Sequence, residues 1–93
     1  MFLLPNKVLV QVNVMPVDIN VDLEKLKEKI TQKIAPKYEV LKYEIEPVAF
    51  GLKRLKLNVI MDHSIGSTDE LEELIKEIEN VEDVQIGAVS LYG

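Results

Sequence analysis

The chain has 93 residues, no cysteine and a formal net charge of −5. This length predicts a single domain over residues 1–93, and without cysteine neither disulfides nor thiolate metal sites can stabilise its small core. The acidic balance disfavours nonspecific binding to nucleic acid or to an anionic membrane. The apolar start, Met1–Pro5, is too short for a signal peptide or a membrane span, so we expect a cytoplasmic protein.

The charges are unevenly distributed. Nine of the eleven basic residues lie between Lys25 and Lys56, whereas the stretch from Asp62 to Asp83 holds nine acidic residues and a single lysine, Lys76. Two solvated faces would produce this pattern. A polarised surface that orients a protein partner would produce it equally well, and both interpretations stay open at this point.

The first two predicted elements are a strand and a helix. From Lys7 to Met15 valine occupies every second position, which is typical of a half-buried strand. Pro16 ends this strand because proline cannot donate a hydrogen bond to a sheet. The aliphatic face of this strand consists of Val8, Val10, Val12 and Val14. Asp22 is a good cap for the helix that follows, and Pro36 closes it. The helix carries one apolar stripe of Leu23, Leu26, Ile30 and Ile34.

Two strands joined by a turn come next. The second strand begins near Tyr38, and Pro47 interrupts it, which predicts an edge position or a bulge at that residue. Its expected core face consists of Leu41, Tyr43 and Ile45. Gly51 marks the turn. The third strand has the clearest alternation in the chain, with a predicted core face of Leu55, Leu57, Val59 and Met61.

A second helix and a fourth strand complete the pattern. Ser67 and Glu70 fit a capping box, and Asn80 can adopt the left-handed conformation that ends a helix. The apolar stripe between them consists of Leu71, Leu74, Ile75 and Ile78. The last strand alternates through Val84, Ile86 and Ala88 toward Tyr92. The order βαββαβ predicts an α+β ferredoxin-like sandwich: a four-stranded antiparallel sheet with both helices on one face.

The sequence lacks the residues that several activities found on this fold require. RNA-binding versions stack bases on aromatic side chains, and the first and third predicted strands carry none. The glycines are isolated, so no phosphate cradle is expected. His63 stands beside Asp62 without a serine or cysteine nucleophile arranged with it. We therefore expect a binding protein and not an enzyme, with no metal and no cofactor.

The segment Glu46–Leu55 resists a purely structural interpretation. Phe50 stands beside Gly51, between two strands, where a turn is expected. An aromatic side chain at this position either packs under its own hairpin or projects as an anchor for a partner. Exposed aromatic and arginine side chains are frequent hot spots of protein interfaces.

This segment resembles the Glu-Pro-x-Ala-Phe-Gly-Leu-x-x-Leu signature of the archaeal elongation factor 1-beta family. The similarity runs from about Val8 to about Val89, and it includes Val14-Met15-Pro16, Val21 to Leu26 and Glu79 to Val84. The family has the same ferredoxin-like fold. The resemblance implies a guanine-nucleotide exchange factor that acts on elongation factor 1-alpha. The sequence does not fix the oligomeric state, for which we favour a monomer.

The resemblance also implies a set of partner-binding residues. Phe50 would insert its ring into a pocket of the GTPase, and Gly51 would let the backbone turn behind it. Lys53 and Arg54 would meet acidic groups of the partner, although a solvated role for both is an equal alternative.

The last strand of the family lies near the nucleotide, so Leu91 and Tyr92 are further candidates. Eukaryotic relatives carry a basic residue at that end, which intrudes on the magnesium position. This chain ends Val89-Ser90-Leu91-Tyr92-Gly93, without a lysine or arginine, so displacement of magnesium by a side-chain cation of this stretch is in doubt. Disorder of these residues is the simpler alternative.

Two other functions fit the predicted fold. One is an ACT-like regulatory domain that binds a small effector, although the position after the first strand, Pro16 to Asn20, lacks the glycine often found in such domains. The other is an RNA-binding sandwich, which the acidity and the missing aromatic residues disfavour.

Overall fold

The computed structural model describes residues 7–92; the apolar start and Gly93 lie outside the described residues. Its elements follow the predicted order. They are strand β1 (Lys7–Pro16), helix α1 (Leu23–Ile34), strand β2 (Glu39–Pro47), strand β3 (Lys53–Asp62), a short 3-10 helix (His63–Ile65), helix α2 (Asp69–Lys76) and strand β4 (Val81–Tyr92).

The four strands form one antiparallel sheet in the order β2-β3-β1-β4. Both helices contact the same face of this sheet, so the predicted ferredoxin-like sandwich is confirmed. Strands β2 and β4 form the two edges, as Pro47 indicated for β2. The hairpin between β2 and β3 lies at one end of the sheet, and the end of β4 lies at the other.

The core fills the layer between sheet and helices. Alternate residues of β1 and β3 are buried, and they meet the apolar stripe of α1, as the sequence pattern predicted. The fully buried strand residues are Val10, Val12, Val14, Leu55, Leu57 and Val59. Helix α2 adds Leu71 and Ile75, while Leu74 and Ile78 are only partly buried.

The two helices begin differently. Asp22 caps α1 as predicted, since its Oδ1 accepts hydrogen bonds from the backbone N–H groups of Glu24 and Lys25 at 3.0 and 3.2 Å. The predicted capping box of α2 is wrong. The N-cap is Thr68 without a side-chain bond, and the Oγ of Ser67 accepts instead from the N–H of Asp69 at 3.1 Å.

Glu70 does not fold back onto the helix because it has stronger partners. Its carboxylate accepts from the Nζ of Lys37 at 2.7 Å and from the hydroxyl of Tyr38 at 3.0 Å. The hydrogen bond from Lys37 holds the pKa of Glu70 below its usual value. Burial, with the Glu70 bond, raises the pKa of Tyr38 to about 12.

Register shifts overturn two predicted side-chain faces. Strand β2 shifts between Val40 and Lys42, so Leu41 is 43% exposed and does not belong to the core. A second shift lies in β4 between the partners of Val10 and Val12. Ala88 is therefore exposed. Val89, the strand partner of Val10, occupies the helix-side position that the alternation predicted for Ala88. One extra residue reverses all faces beyond it, and a period-two pattern does not reveal where that happens.

The end of α2 also differs from the prediction. Helix α2 ends at Lys76, four residues before Asn80. Asn80 nevertheless has a positive φ of 75° in the turn that leads into β4.

Among the described helices, none is long and apolar enough to cross a membrane.

Part of the segregated charge lies on two neighbouring helices, with four of the nine basic residues on α1 and four of the nine acidic residues on α2. Basic α1 packs beside acidic α2, and Lys33 at the end of α1 bonds to Glu77 at 3.0 Å. Lys37 just after α1 bonds to Glu70 at the start of α2. Part of the charge pattern is thus used inside the chain. Such exposed pairs contribute little to stability, about 0–1 kcal/mol each.

Candidate partner-binding site

The hairpin between β2 and β3 ends in a tight turn. The N–H of Leu52 donates to the carbonyl of Ala49 at 3.0 Å, and the N–H of Val48 donates to the carbonyl of Leu52 at 2.8 Å. The two central residues, Phe50 and Gly51, have positive φ angles of 56° and 79°. Two consecutive positive φ values are the mark of a type I′ turn, which follows the natural twist of a hairpin.

Phe50 occupies a position that the backbone does not favour for phenylalanine. The first central residue of such a turn is normally asparagine, aspartate or glycine, and the left-handed conformation costs other residues about 1 kcal/mol or more. Packing does not offset this cost, since Phe50 is 98% exposed. Of the two interpretations offered by the sequence, the structure therefore has the ring projecting from the hairpin. A side chain retained at a conformational cost without contacts of its own is a candidate for function.

Lys53 and Arg54 are adjacent in sequence but lie on opposite faces of the sheet. Arg54 lies on the open face, where its Nε donates to the carboxylate of Glu46 at 2.6 Å. Lys56 is 3.8 Å from the other oxygen of that carboxylate. The Arg54 bond holds the pKa of Glu46 below its usual value. Lys53 lies on the helix side and is exposed, so its charge is the more accessible of the two.

The hairpin has an exposed apolar neighbour, Ile19, that the sequence pattern did not indicate. Ile19, in the loop between β1 and α1, is 61% exposed. It lines a shallow cleft of about 170 Å³ together with Ile45 and Lys53. The only sign in the sequence that Ile19 could be functional is that it is an isoleucine between two predicted elements, outside any periodic pattern. Its position beside the hairpin could not be read from the sequence because about 30 residues separate the two segments.

Leu91 and Tyr92 lie at the opposite end of the molecule. Both belong to strand β4, paired with Val8 and Lys7 of β1, so the alternative of a disordered end is not what the structure describes for them. Strand β3 runs the distance between the two ends, and its ten residues correspond to about 30 Å. The predicted site residues therefore form two separate groups: the hairpin end, with Phe50, and the strand end, with Leu91 and Tyr92.

The strand end contains a partly apolar groove. Its volume is about 570 Å³, and its apolar walls are Val8, Met61, Val89 and Leu91. These side chains face the helix layer, but Leu91 is 64% exposed. Leu91 and Val89 occupy helix-side positions of the sheet that the short helix α2 leaves uncovered.

A lysine lies beside Tyr92 although the last strand itself has none. Lys7 is the strand partner of Tyr92, and its Nζ is 3.9 Å from a carboxylate oxygen of Asp62. Hydrogen bonds from Ser64 hold the pKa of Asp62 below its usual value, and Lys7 contributes further. The strand end thus carries a cation that comes from β1. Within residues 7–92, no group of three or more His, Cys, Asp or Glu side chains is placed to hold a metal ion.

An ordered ferredoxin-like sandwich that projects an exposed phenylalanine from a rigid turn has the form of a protein-binding module. Comparison with known proteins makes this more specific. Residues 9–91 match the family described as the EF-1 guanine nucleotide exchange domain.

Full-length relatives agree with this match. Elongation factor 1-beta of Staphylothermus marinus is 48% identical over 84 residues, covering 89% of this chain and 93% of the relative. The proteins of the same name from Aeropyrum pernix and Pyrococcus horikoshii are 45% and 44% identical, over 90% and 85% of this chain and 94% and 88% of their own lengths. The chain belongs to the EF-1 guanine nucleotide exchange domain family, and it is a guanine-nucleotide exchange factor of translation elongation.

Proposed function

We propose that the chain accelerates GDP release from elongation factor 1-alpha in the cytoplasm, acting as a monomer by noncovalent binding alone. It needs no cofactor for this and does not contact nucleic acid directly. The observation that carries the proposal is Phe50, which is 98% exposed on a turn that does not favour phenylalanine. A large rigid ring without contacts in its own chain is suited to fill a pocket of a partner.

The physical basis of exchange is thermodynamic linkage. A factor that binds the nucleotide-free GTPase more tightly than the GDP-bound form must weaken GDP binding by the same factor. A thousandfold weakening requires about 4 kcal/mol of differential interaction. A buried aromatic anchor contributes about 2 kcal/mol or more, so a few contacts of this kind suffice.

The accessible charges distinguish the two basic candidates. Arg54 is bound to Glu46 on the open face of the sheet, which supports a role in holding the base of the hairpin. Lys53 is exposed on the helix side, beside Ile19 and Ile45. Lys53 is therefore the better candidate to meet an acidic group of the GTPase, with Phe50 and Gly51 at the tip.

The strand end supplies the second contact. Leu91 and Tyr92 lie about 30 Å from the hairpin, measured along β3, so a partner that meets both ends must offer two contact sites at that spacing. In this proposal Leu91 and Tyr92 act near the nucleotide. The nearby cation is Lys7, the strand partner of Tyr92, and not a residue of the last strand itself.

The test is release of a fluorescent GDP analogue from elongation factor 1-alpha of a matched archaeal source, with and without this protein. We expect the wild type to accelerate release. Phe50→Ala should lower the acceleration about 30-fold, which corresponds to about 2 kcal/mol. Its thermal unfolding should match the wild type, because the ring makes no buried contacts.

The result has three clear outcomes. Acceleration by the wild type with a large loss in Phe50→Ala supports both the function and the anchor. Equal acceleration by both proteins would retain the function and move the contact toward Lys53 and the strand end. No acceleration at any concentration of the wild type would overturn the choice of elongation factor 1-alpha as the partner.

A further inference from the structure

Exposed apolar side chains are concentrated at the hairpin end. Nine large hydrophobic residues are exposed within the part of the chain that the structure describes, and five of them belong to this end. The five are Val17, Ile19, Ile45, Val48 and Phe50. Single exposed apolar residues are ordinary on a protein surface, whereas a contiguous group marks an interaction site.

The loop between β1 and α1 reaches the tip of the hairpin. A methyl group placed on Gly51 would lie 3.8 Å from the Cγ2 of Ile19, so Ile19 approaches the backbone directly behind Phe50. The rest of its side chain is open to solvent. Ile19 and Phe50 therefore border the same stretch of surface, although they come from different segments of the chain.

This loop is held in one conformation by its own hydrogen bonds. The Oδ1 of Asp18 accepts from the N–H of Asn20 at 2.7 Å. The N–H of Val17 donates to the carbonyl of Asn80 at 3.0 Å, which ties the loop to the turn before β4. A loop that is already ordered loses little further entropy when a partner covers it.

Phe50 alone is too small to form a specific interface. One phenylalanine buries about 200 Å², whereas a stable interface needs about 800 Å² from each partner. A partner that binds Phe50 therefore needs further contact area, and the surface next to the hairpin can supply it in addition to the strand end. On the open face that surface holds the charged group of Glu46, Arg54 and Lys56. On the helix side the exposed side chains of Ile19 and Ile45 lie in one cleft with Lys53 and the carboxylates of Asp18, Asp22 and Glu24. Apolar side chains are favoured at the centres of interfaces, so the contact should extend over Ile19 and Ile45 on the helix side.

We propose that Val17 and Ile19 bind the same GTPase as Phe50, and that loop and hairpin form one continuous docking surface. Ile19 is the second anchor of this surface. The inference rests on the proposed function, since it takes elongation factor 1-alpha as the partner that Phe50 meets. It requires that the GTPase present an apolar surface wide enough to cover both the hairpin tip and the loop.

The experiment compares Ile19→Ser with Leu41→Ser in the GDP-release assay, over a range of factor concentrations. Leu41 is an exposed aliphatic residue on β2 that lies away from the hairpin end, in a cleft beside Lys7 and Tyr92, so Leu41→Ser controls for the loss of an aliphatic side chain outside the loop and the hairpin. Ile19→Ser should raise the concentration for half-maximal exchange about tenfold while leaving the rate at saturation unchanged. Leu41→Ser should change neither value by more than about twofold.

A double variant separates direct contact from support of the hairpin. If Ile19 only positions Phe50, replacing it in a Phe50→Ala background will have no further effect. Direct contact predicts a further rise in the half-maximal concentration, of up to about tenfold, because the effects of neighbouring residues are coupled and do not simply multiply. Val17→Ser provides a second variant on the same loop, with an expected shift of about threefold, in case Ile19→Ser lowers the unfolding temperature.

The possible failures are distinguishable. If the wild type does not accelerate release, the proposed function fails and the inference fails with it. If the wild type is active and Phe50→Ala is impaired, but Ile19→Ser and Val17→Ser behave like Leu41→Ser, only the extended docking surface is wrong. An Ile19 effect that disappears in the Phe50→Ala background would likewise overturn its role as an anchor.

Discussion

The two ends of the sheet present apolar residues in different ways. At the hairpin end, Phe50 projects from a turn whose hydrogen bonds and positive φ angles fix its direction. At the strand end, Leu91 lies in a regular strand and is exposed because helix α2 is too short to cover it. The first arrangement presents a rigid aromatic anchor, and the second presents one wall of a groove. Because of this difference, we expect a binding hot spot at the hairpin end and a smaller contribution to binding from the strand end.

The largest expected effect comes from disabling both ends together. Phe50→Ala should reduce exchange about 30-fold and Leu91→Ser about fivefold, corresponding to about 2 and 1 kcal/mol. Because the ends are about 30 Å apart, the effects should multiply to about 150-fold in the double variant. Measured GDP-release rates for the four proteins would check this. A double variant no worse than Phe50→Ala would mean that the strand end does not contact the GTPase.

A smaller effect is expected from the glycine behind the ring. Gly51→Ala should lower the free energy of unfolding by about 1 kcal/mol, because its φ of 79° disfavours any residue with a Cβ. Gly66 has a φ of 76° and open space around it, so Gly66→Ala controls for the loss of stability, although Gly66 also lines the groove beside Leu91 at the strand end. Both variants should lose similar stability in urea unfolding, and Gly51→Ala should slow exchange more than Gly66→Ala. Equal slowing by both would point to general destabilisation.

The neighbouring cations should differ modestly. Lys53→Gln removes an accessible charge and should slow exchange about threefold at low salt, with a smaller effect at high salt. Arg54→Gln breaks the bond to Glu46 and should cost less than about 1 kcal/mol of stability. Its exchange rate should stay within about twofold of the wild type. A larger exchange defect in Arg54→Gln than in Lys53→Gln would contradict the proposal that Lys53 contacts the GTPase while Arg54 holds the base of the hairpin.

The smallest effect concerns acid stability, to which ion-paired carboxylates such as Glu46 and Glu70 contribute. The bond from Arg54 lowers the pKa of Glu46, and the bond from Lys37 lowers the pKa of Glu70. A lowered folded-state pKa stabilises the protein above the unfolded value of about 4.3. This stabilisation is lost as the pH falls through the folded-state pKa. Glu46→Gln and Glu70→Gln should each slightly flatten the decline of the unfolding temperature between neutral and acid pH. Unfolding temperatures that fall with pH as steeply as those of the wild type would show that these pairs contribute nothing measurable to stability.

Most of the fold could be predicted from the sequence because its signals are local. Alternation in β1 and β3, the stripe of α1 and the Asp22 cap each depend on residues close together in the chain. The capping box at Ser67 failed because Glu70 found the partners Lys37 and Tyr38, which come from a distant segment. The faces of Leu41 and Ala88 failed because a register shift depends on the neighbouring strand.

The candidate site was predicted in part. The segment Glu46–Leu55 drew attention to Phe50, but the exposure of its ring depends on what packs around the hairpin. The roles of Lys53 and Arg54 could not be separated without the register of β3 against β2. Ile19 gave only a weak signal because its neighbour Gly51 is 32 positions away in the chain.

Local patterns in the chain were enough to predict the order of the elements, the core faces of α1, β1 and β3, and the resemblance to an exchange-factor family. The three-dimensional packing alone shows which surfaces meet. It separated the hairpin from the strand end, brought Ile19 behind Gly51 and placed Lys7 beside Tyr92. The physical reason is that strand pairing and packing join residues far apart in the chain, and a periodic pattern carries no information about those partners.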